Sequence, residues 1–276
     1  MTTLALTGST GHVGGAVARL LAADGIRTRL LVRDPGRAPD LPGAEVVRAA
    51  YADPGTVEAL HGVETLLMVS AEESAERVQV HAALVDAAVA AGVRHVVYTS
   101  FVGAGATSGF LLGRDHGATE EVIRRSGLEH TFLRDNFYAE VFPAFADDAG
   151  VLRGPAGRGR VAAVSRRDVA AVAAHVLRDP APHRGRSYDL TGPEALTLTE
   201  IADVLSRVTG RPHRFVDETM EEARRSLEGY GAPDWLVDAW ISAYTAIRDG
   251  ELEDVSDDVP RLLGRAATSF EEAVAG

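Results

Sequence analysis

The chain has 276 residues, of which 28 are basic and 40 acidic, for a formal charge of −12. Every basic residue is arginine, and neither lysine nor cysteine occurs. Their absence excludes a Schiff-base amine, a P-loop lysine and a Tyr-x-x-x-Lys proton relay, together with any disulfide, thiolate nucleophile or cysteine-ligated metal site. No metal site is expected.

The opening residues Met1-Thr-Thr-Leu-Ala-Leu-Thr-Gly8 carry no basic leader and run straight into a strand. No uninterrupted run of 18 apolar residues follows, so a cytoplasmic protein with no membrane partner is expected. From Asp217 to Asp258 there are 13 acidic and 3 basic residues, which places −10 of the charge in one segment. No basic footprint for displacing phosphate counterions is visible, so nucleic acid is not an expected partner.

In chain order, strands are predicted near Leu4–Thr7, Thr28–Val32, Glu45–Arg48, Thr65–Ser70, His95–Ser100 and Thr131–Leu133. Helices are predicted between them at about 13–24, 55–61, 74–91 and 116–126. Val78, Ala82, Val85 and Val89 repeat at helical spacing, and Gly92 supplies a stop. After Arg134 the stretch 134–160 reads as loop-rich, with Pro143, Gly150, Gly154, Pro155, Gly157 and Gly159. A strand at Val161–Val164, a helix at Asp168–Arg178 and a strand at Ser187–Leu190 come next. From Thr197 the chain reads as entirely helical, at about 199–209, 218–229, 234–248 and 269–275. This succession predicts an α/β fold, a Rossmann doubly wound parallel sheet, with a smaller, mostly helical C-terminal subdomain. The division is expected at 1–190 and 191–276, with the loop-rich stretch contributing to a substrate crevice.

The strongest local signal is Gly8-Ser-Thr-Gly11-His-Val-Gly14, which follows a strand and opens a helix. Small residues there let the backbone approach a pyrophosphate, whose charge meets free N–H groups at the helix start. The next strand ends in Arg33, with Arg37 four residues on, where an NAD site would place an acid. Two guanidiniums suit a 2′-phosphate and point to NADP (NADPH). Asp34 serves either a ribose hydroxyl or the turn before Pro35.

A short-chain dehydrogenase donates its proton from Tyr in a Ser-Tyr-Lys set. Here the fifth strand offers Ser100, but Leu112 stands at the tyrosine place and His116 at the lysine place. Reducing a simple ketone produces an alkoxide whose conjugate acid has a pKa near that of water, about 15.7, so a positioned acid is needed. Reducing a quinone produces a phenol-like anion with a pKa of about 10, which takes its proton from water. Electron-poor acceptors are therefore favoured over ketones. His116 is either a weak general acid or a histidine at a helix start.

Several stretches together resemble the NmrA-like atypical short-chain dehydrogenase/reductases, and within them the type 2 NAD(P)H:quinone oxidoreductases. They are Leu6–Gly14, Val32-Arg-Asp-Pro35 with Arg37, Gly62–Ser70, Ala91–Ser100, His116-x-x-Thr-Glu120, Thr131–Tyr138, Ser165–Ala170 and Tyr188–Gly192. The resemblance implies that Gly8, Thr10, Gly11, His12 and Val13 line the pyrophosphate and that Arg33 and Arg37 hold the 2′-phosphate. It places Ser70, Ala71 and Glu72 beside the dinucleotide, with Thr99, Ser100 and Phe101 near the nicotinamide. Asn136 and Tyr138 would reach the substrate together with Phe101, and Asp53 would make a cofactor contact, since Ala50 replaces the usual acid before Tyr51. Ser100, His116 and Tyr138 are the candidate catalytic residues. Arg134 reads as a structural ion-pairing residue. Tyr230, Trp235, Trp240 and Tyr244 read as helix core, with a stacking site for a flat quinone as the other reading.

The expected activity is NADPH-dependent hydride transfer to a quinone or similar conjugated carbonyl. The alternatives are a non-catalytic NADP-sensing regulator and a tailoring reductase, isomerase or epimerase. A homodimer stays open.

Overall fold

The computed structural model describes residues 4–276. Its first part alternates strand and helix: β1 (Leu4–Leu6), α1 (His12–Ala23), β2 (Thr28–Val32), β3 (Ala44–Arg48), α2 (Thr56–Ala59), β4 (Thr65–Met68), α3 (Arg77–Ala91), β5 (His95–Phe101), α4 (Leu111–Arg125) and β6 (Glu129–Asp135). The remainder comprises β7 (Val151–Gly154), β8 (Arg160–Val161), α5 (Arg166–Arg178), β9 (Arg186–Leu190), β10 (Leu196–Thr197), α6 (Leu198–Thr209), β11 (Arg214–Asp217), α7 (Met220–Glu228), α8 (Asp234–Arg248), α9 (Asp258–Leu263) and α10 (Phe270–Val274).

The central sheet has seven strands in the order β3-β2-β1-β4-β5-β6-β9. β1 pairs in parallel with β2 and β4, β2 with β3, and β4 with β5. Every residue of β1, β4 and β5 is buried, which explains why these strands read as continuous apolar runs rather than alternating ones. Strand order reverses between β1 and β4, the place where open α/β sheets hold ligands beyond their carboxyl ends. Gly92, at φ +79°, ends α3 in the left-handed conformation that a side chain would strain.

Two compact units emerge, both discontinuous in sequence. The first runs through Ser100 and adds Asp115–Arg134 and Val169–Tyr188. The second takes Phe101–Arg114, Asp135–Asp168 and Asp189–Gly276. The first centres on a core that includes Leu66, Met68, Leu84, Val96, Tyr98, Ile123 and Phe132. In the second, Phe101, Phe110, Phe142, Leu152, Leu198, Ile201, Leu205 and Phe270 pack together. Its buried Asp168 accepts 2.6 Å bonds from the Thr268 backbone and from Arg265, which fixes the last segment of the chain.

The chain after Thr197 is not entirely helical. β11 lies parallel to β7, with Arg214 opposite Val151 and Asp217 opposite Gly154. Both strands are four residues long and pair across some sixty positions of sequence, so neither shows a local period. The strand expected at Val161–Val164 is reduced to Arg160–Val161, paired with Leu196–Thr197. Helix α4 begins at Leu111, one turn before the expected 116. Among the described residues no helix is long and apolar enough to cross a membrane.

Candidate cofactor and active site

The glycine turn closes on itself through a 2.9 Å bond from Gly11 N–H to the Gly8 carbonyl. Gly8 has φ +67°, and a Cβ there would lie 2.8 Å from Val69 Cβ. Gly14 is tighter still: its Cβ would sit 2.4 Å from the Gly8 carbonyl oxygen, so α1 packs directly on the turn. Thr10, Gly11 and His12 are exposed and Val13 is buried. Gly11 caps α1 with no side-chain acceptor and the first turn holds no acid, which leaves N–H groups for an anionic ligand. The buried Ser9 hydroxyl has no partner. A bare helix start, a glycine cradle and an orphaned hydroxyl together fit a dinucleotide pyrophosphate.

The turn is held from behind. Thr7 Oγ1 accepts from Val69 N–H at 2.9 Å and meets the Tyr51 hydroxyl at 2.6 Å, while Tyr51 donates to the Val69 carbonyl. Burial pushes the Tyr51 phenol up to about 12, so it stays protonated. No local pattern marks this role of Tyr51, whose two partners lie 44 and 18 residues away.

At the end of β2, Arg33 and Arg37 are exposed. Arg33 Nη1 pairs with Glu72 Oε1 at 3.1 Å. Asp34 Oδ1 accepts from Gly36 N–H at 3.0 Å, so it caps the turn. Asp53 does the same for Gly55 N–H at 2.9 Å. After β4, Ser70 N–H donates to Thr99 Oγ1 at 2.8 Å and Ala71 N–H to His81 Nε2 at 2.9 Å.

That last bond assigns the His81 tautomer, since Nε2 must be bare and Nδ1–H donates to Thr119 Oγ1 at 2.8 Å. Burial, reinforced by the Arg77 guanidinium, pushes His81 down to about 3. Arg77 is itself buried and donates to His116 Nε2 at 3.2 Å. His116 therefore carries its proton on Nδ1 and donates it to the Tyr98 hydroxyl at 3.0 Å. Burial and the cationic Arg77 hold this imidazole well below its usual range. With both nitrogens engaged inside the protein, the buried His116 ring keeps its one proton on Nδ1, in the bond to Tyr98.

Ser100 is fully buried and donates to Glu120 Oε1 at 2.7 Å. Glu120, at the base of this network, also receives Arg134 through two nitrogens at 2.8 and 2.7 Å and Arg124 at 2.8 Å. Arg134 is thus an ion-pairing residue, and Ser100 belongs to the same structural network.

In the second unit, Phe101, Phe110 and Phe137 form an aromatic trio with centroids 4.9 to 5.3 Å apart. Asn136 is buried; its amide donates to the Leu252 carbonyl at 3.0 Å and its oxygen accepts from Phe137 N–H at 2.8 Å. Tyr138 donates to Asp135 Oδ2, and the Arg166 guanidinium stands 5.3 Å from its ring centre. Burial and the Asp135 carboxylate raise the Tyr138 phenol well above its usual range, making it a weaker acid. Tyr244 packs its ring on Gly154, where a Cβ would fall 2.5 Å from it, and so serves as core. A cavity of about 460 Å³ is lined by Leu111, Met220, Glu221, Arg224, Asp238, Ile241, Ser242 and Thr245. Among the described residues no cluster of three or more His, Asp or Glu side chains could hold a metal ion.

Comparison with known proteins places the chain in a family. Over 273 residues the chain is 36% identical to an NAD(P)H azoreductase of Xenophilus azovorans, spanning 97% of this chain and 95% of that protein. It is 35% identical over 279 residues to quinone oxidoreductase 2 of Escherichia coli (strain K12), spanning 98% and 97%. The crystal structure of an NADPH-dependent quinone oxidoreductase from Escherichia coli complexed with NADPH matches with a TM-score of 0.89 at 34% identity, over 99% of this chain and 98% of that one. The sequence pattern of the NmrA-like family matches residues 1–248, and the chain belongs to that family.

Proposed function

We propose that this protein is an NADPH-dependent oxidoreductase that delivers hydride directly to a quinone or similar conjugated carbonyl, with no proton donated by a side chain. The coarse class rests on similarity along nearly the whole chain to relatives named as an NAD(P)H azoreductase and a quinone oxidoreductase, and to an NADPH-dependent quinone oxidoreductase of known structure. The observation that carries the finer reading is that Ser100, His116 and Tyr138 each commit their hydrogen to a partner inside the protein.

Gly8, Gly11 and the first turn of α1 would hold the pyrophosphate, with Arg33 and Arg37 on the 2′-phosphate. A bound reduced nicotinamide supplies the hydride. The side chains then have two tasks, to orient the reactants and to exclude water. Thr99 and His81 fix the backbone of Ser70 and Ala71 at the carboxyl end of β4. A hydroquinone anion, with a pKa of about 10, is stable enough to leave and take its proton from water.

Purified protein is expected to oxidise NADPH when a small quinone is added, and faster than NADH. Tight NADPH binding with no turnover across a panel of quinones and enones would support the sensing regulator in its place.

A further inference from the structure

The acid that pairs with Arg33 is neither Asp34 nor Asp53, whose carboxylates cap their own turns. It is Glu72, reaching across from the loop after β4 to pair with Arg33 at the end of β2. Both side chains are about three-quarters exposed, at 74% and 76%. An exposed pair of this kind is weak and readily exchanged for a better partner.

The backbone leading up to Glu72 is anchored. The two residues before it are tied, Ser70 N–H to Thr99 and Ala71 N–H to His81. His81 in turn is held in its accepting tautomer by Thr119. Val69, one step further back, is bonded to Thr7 and Tyr51. The carboxylate is therefore presented directly after a pinned stretch of backbone.

We propose that Glu72 and Arg33 form a two-way selector that makes this site accept NADH as well as NADPH, with Glu72 the residue that limits preference for NADPH. This rests on the cofactor placement given above and goes beyond it. A 2′-phosphate, carrying between one and two negative charges, takes Arg33 away from Glu72 and leaves two anions side by side. An unphosphorylated ribose donates its 2′-hydroxyl to the Glu72 carboxylate while Arg33 keeps that carboxylate oriented. The same acid thus opposes one dinucleotide and assists the other.

The test is calorimetric titration of NADP+ and NAD+ into the intact protein and its Glu72→Gln and Arg33→Gln variants, which reads binding without any acceptor. Glu72→Gln is expected to tighten NADP+ about fivefold, the size of a screened like-charge contact at roughly 5 Å, and to weaken NAD+ severalfold. The NADP+ gain should shrink at high salt. Arg33→Gln is expected to shift the preference the opposite way. Binding of both nucleotides with an unchanged affinity ratio in Glu72→Gln would overturn the selector and leave the cofactor reading standing. Binding of neither would overturn both. Binding that follows the selector pattern without turnover of any acceptor would support the selector and remove the reductase reading.

Discussion

At the residue scale, the account turns on protons that are already spoken for. If Ser100 serves the Glu120 network rather than the chemistry, Ser100→Ala should keep kcat within about tenfold, whereas loss of a general acid costs about 10²–10⁴. Glu120→Ala should act on stability, because it strands Arg134 and Arg124; these side chains are 24% and 41% exposed, so the loss should fall below the roughly 3–5 kcal/mol of a fully buried pair. Thermal melts beside steady-state rates separate the two effects. A Ser100→Ala enzyme with an unchanged melt and a thousandfold lower kcat would contradict the assignment. The buried histidines give a pH signature. His81 is pushed down to about 3 and His95 to about 4, mainly by burial. The unfolded chain takes up protons on these groups from about 6.5 downward while the native state refuses them. Their contribution is therefore fully present above about 6.5 and is lost as pH falls toward 4, at up to about 1.4 kcal/mol per pH unit for each histidine. His95 donates through Nε2 to Thr131, whose own hydroxyl donates to the His183 carbonyl, and its Nδ1 has no partner. His95→Gln retains a donor without a titrating ring, so urea melts at pH 7.5, 6 and 5 should show a shallower acid slope than the parent protein.

At the element scale, the first strand–turn–helix unit makes a sharper demand than its glycine pattern alone conveys. Gly14→Ala would drive a Cβ to 2.4 Å from the Gly8 carbonyl oxygen, against 3.4 Å for Gly11→Ala. The first should lose cofactor binding together with stability as α1 is pushed off the turn. The second should fold normally and lose affinity alone, through a methyl where a pyrophosphate must approach. Equal melting temperatures for the two variants would contradict this reading. The turn was legible in the sequence because all its parts lie within seven residues. So were β1 to β6 and the helices among them, each announced by an apolar run or a helical period. The chain Arg77–His116–Tyr98 with His81 and Thr119 was not, since it is assembled from α3, β5 and α4 and no local pattern joins Arg77 and His81 to the stretches that hold Tyr98, His116 and Thr119. His116 shows the same difficulty from the other side: its place in the sequence leaves a weak general acid and a histidine at a helix start both open, and only the structure places it buried beside Arg77. The pairing of β7 with β11 was hidden because Gly150 and Gly154 mark the flanks of a strand as readily as a loop.

At the scale of the whole molecule, negative charge concentrates in the second unit. The segment from Asp217 to Asp258 carries 13 acidic and 3 basic residues, and its Glu221 and Asp238 line the cavity between α7 and α8. A sulfonated quinone should therefore bind more weakly than its neutral parent at low salt. Its KM should fall as ionic strength rises from about 0.01 to 0.15 M and the screening length shortens from about 30 to about 8 Å, while the neutral quinone stays nearly unaffected. Salt-independent KM values for both would show that the acidic helices do not act on the acceptor. The central claim, hydride transfer without a protein proton donor, is tested most directly by NADPH oxidation with a small quinone, measured with C4-deuterated cofactor in H2O and with ordinary cofactor in D2O. The account predicts a slower rate with the deuterated cofactor and a D2O effect near unity. A rate that falls in D2O and ignores the cofactor label, or no quinone-dependent oxidation of NADPH at all, would contradict it.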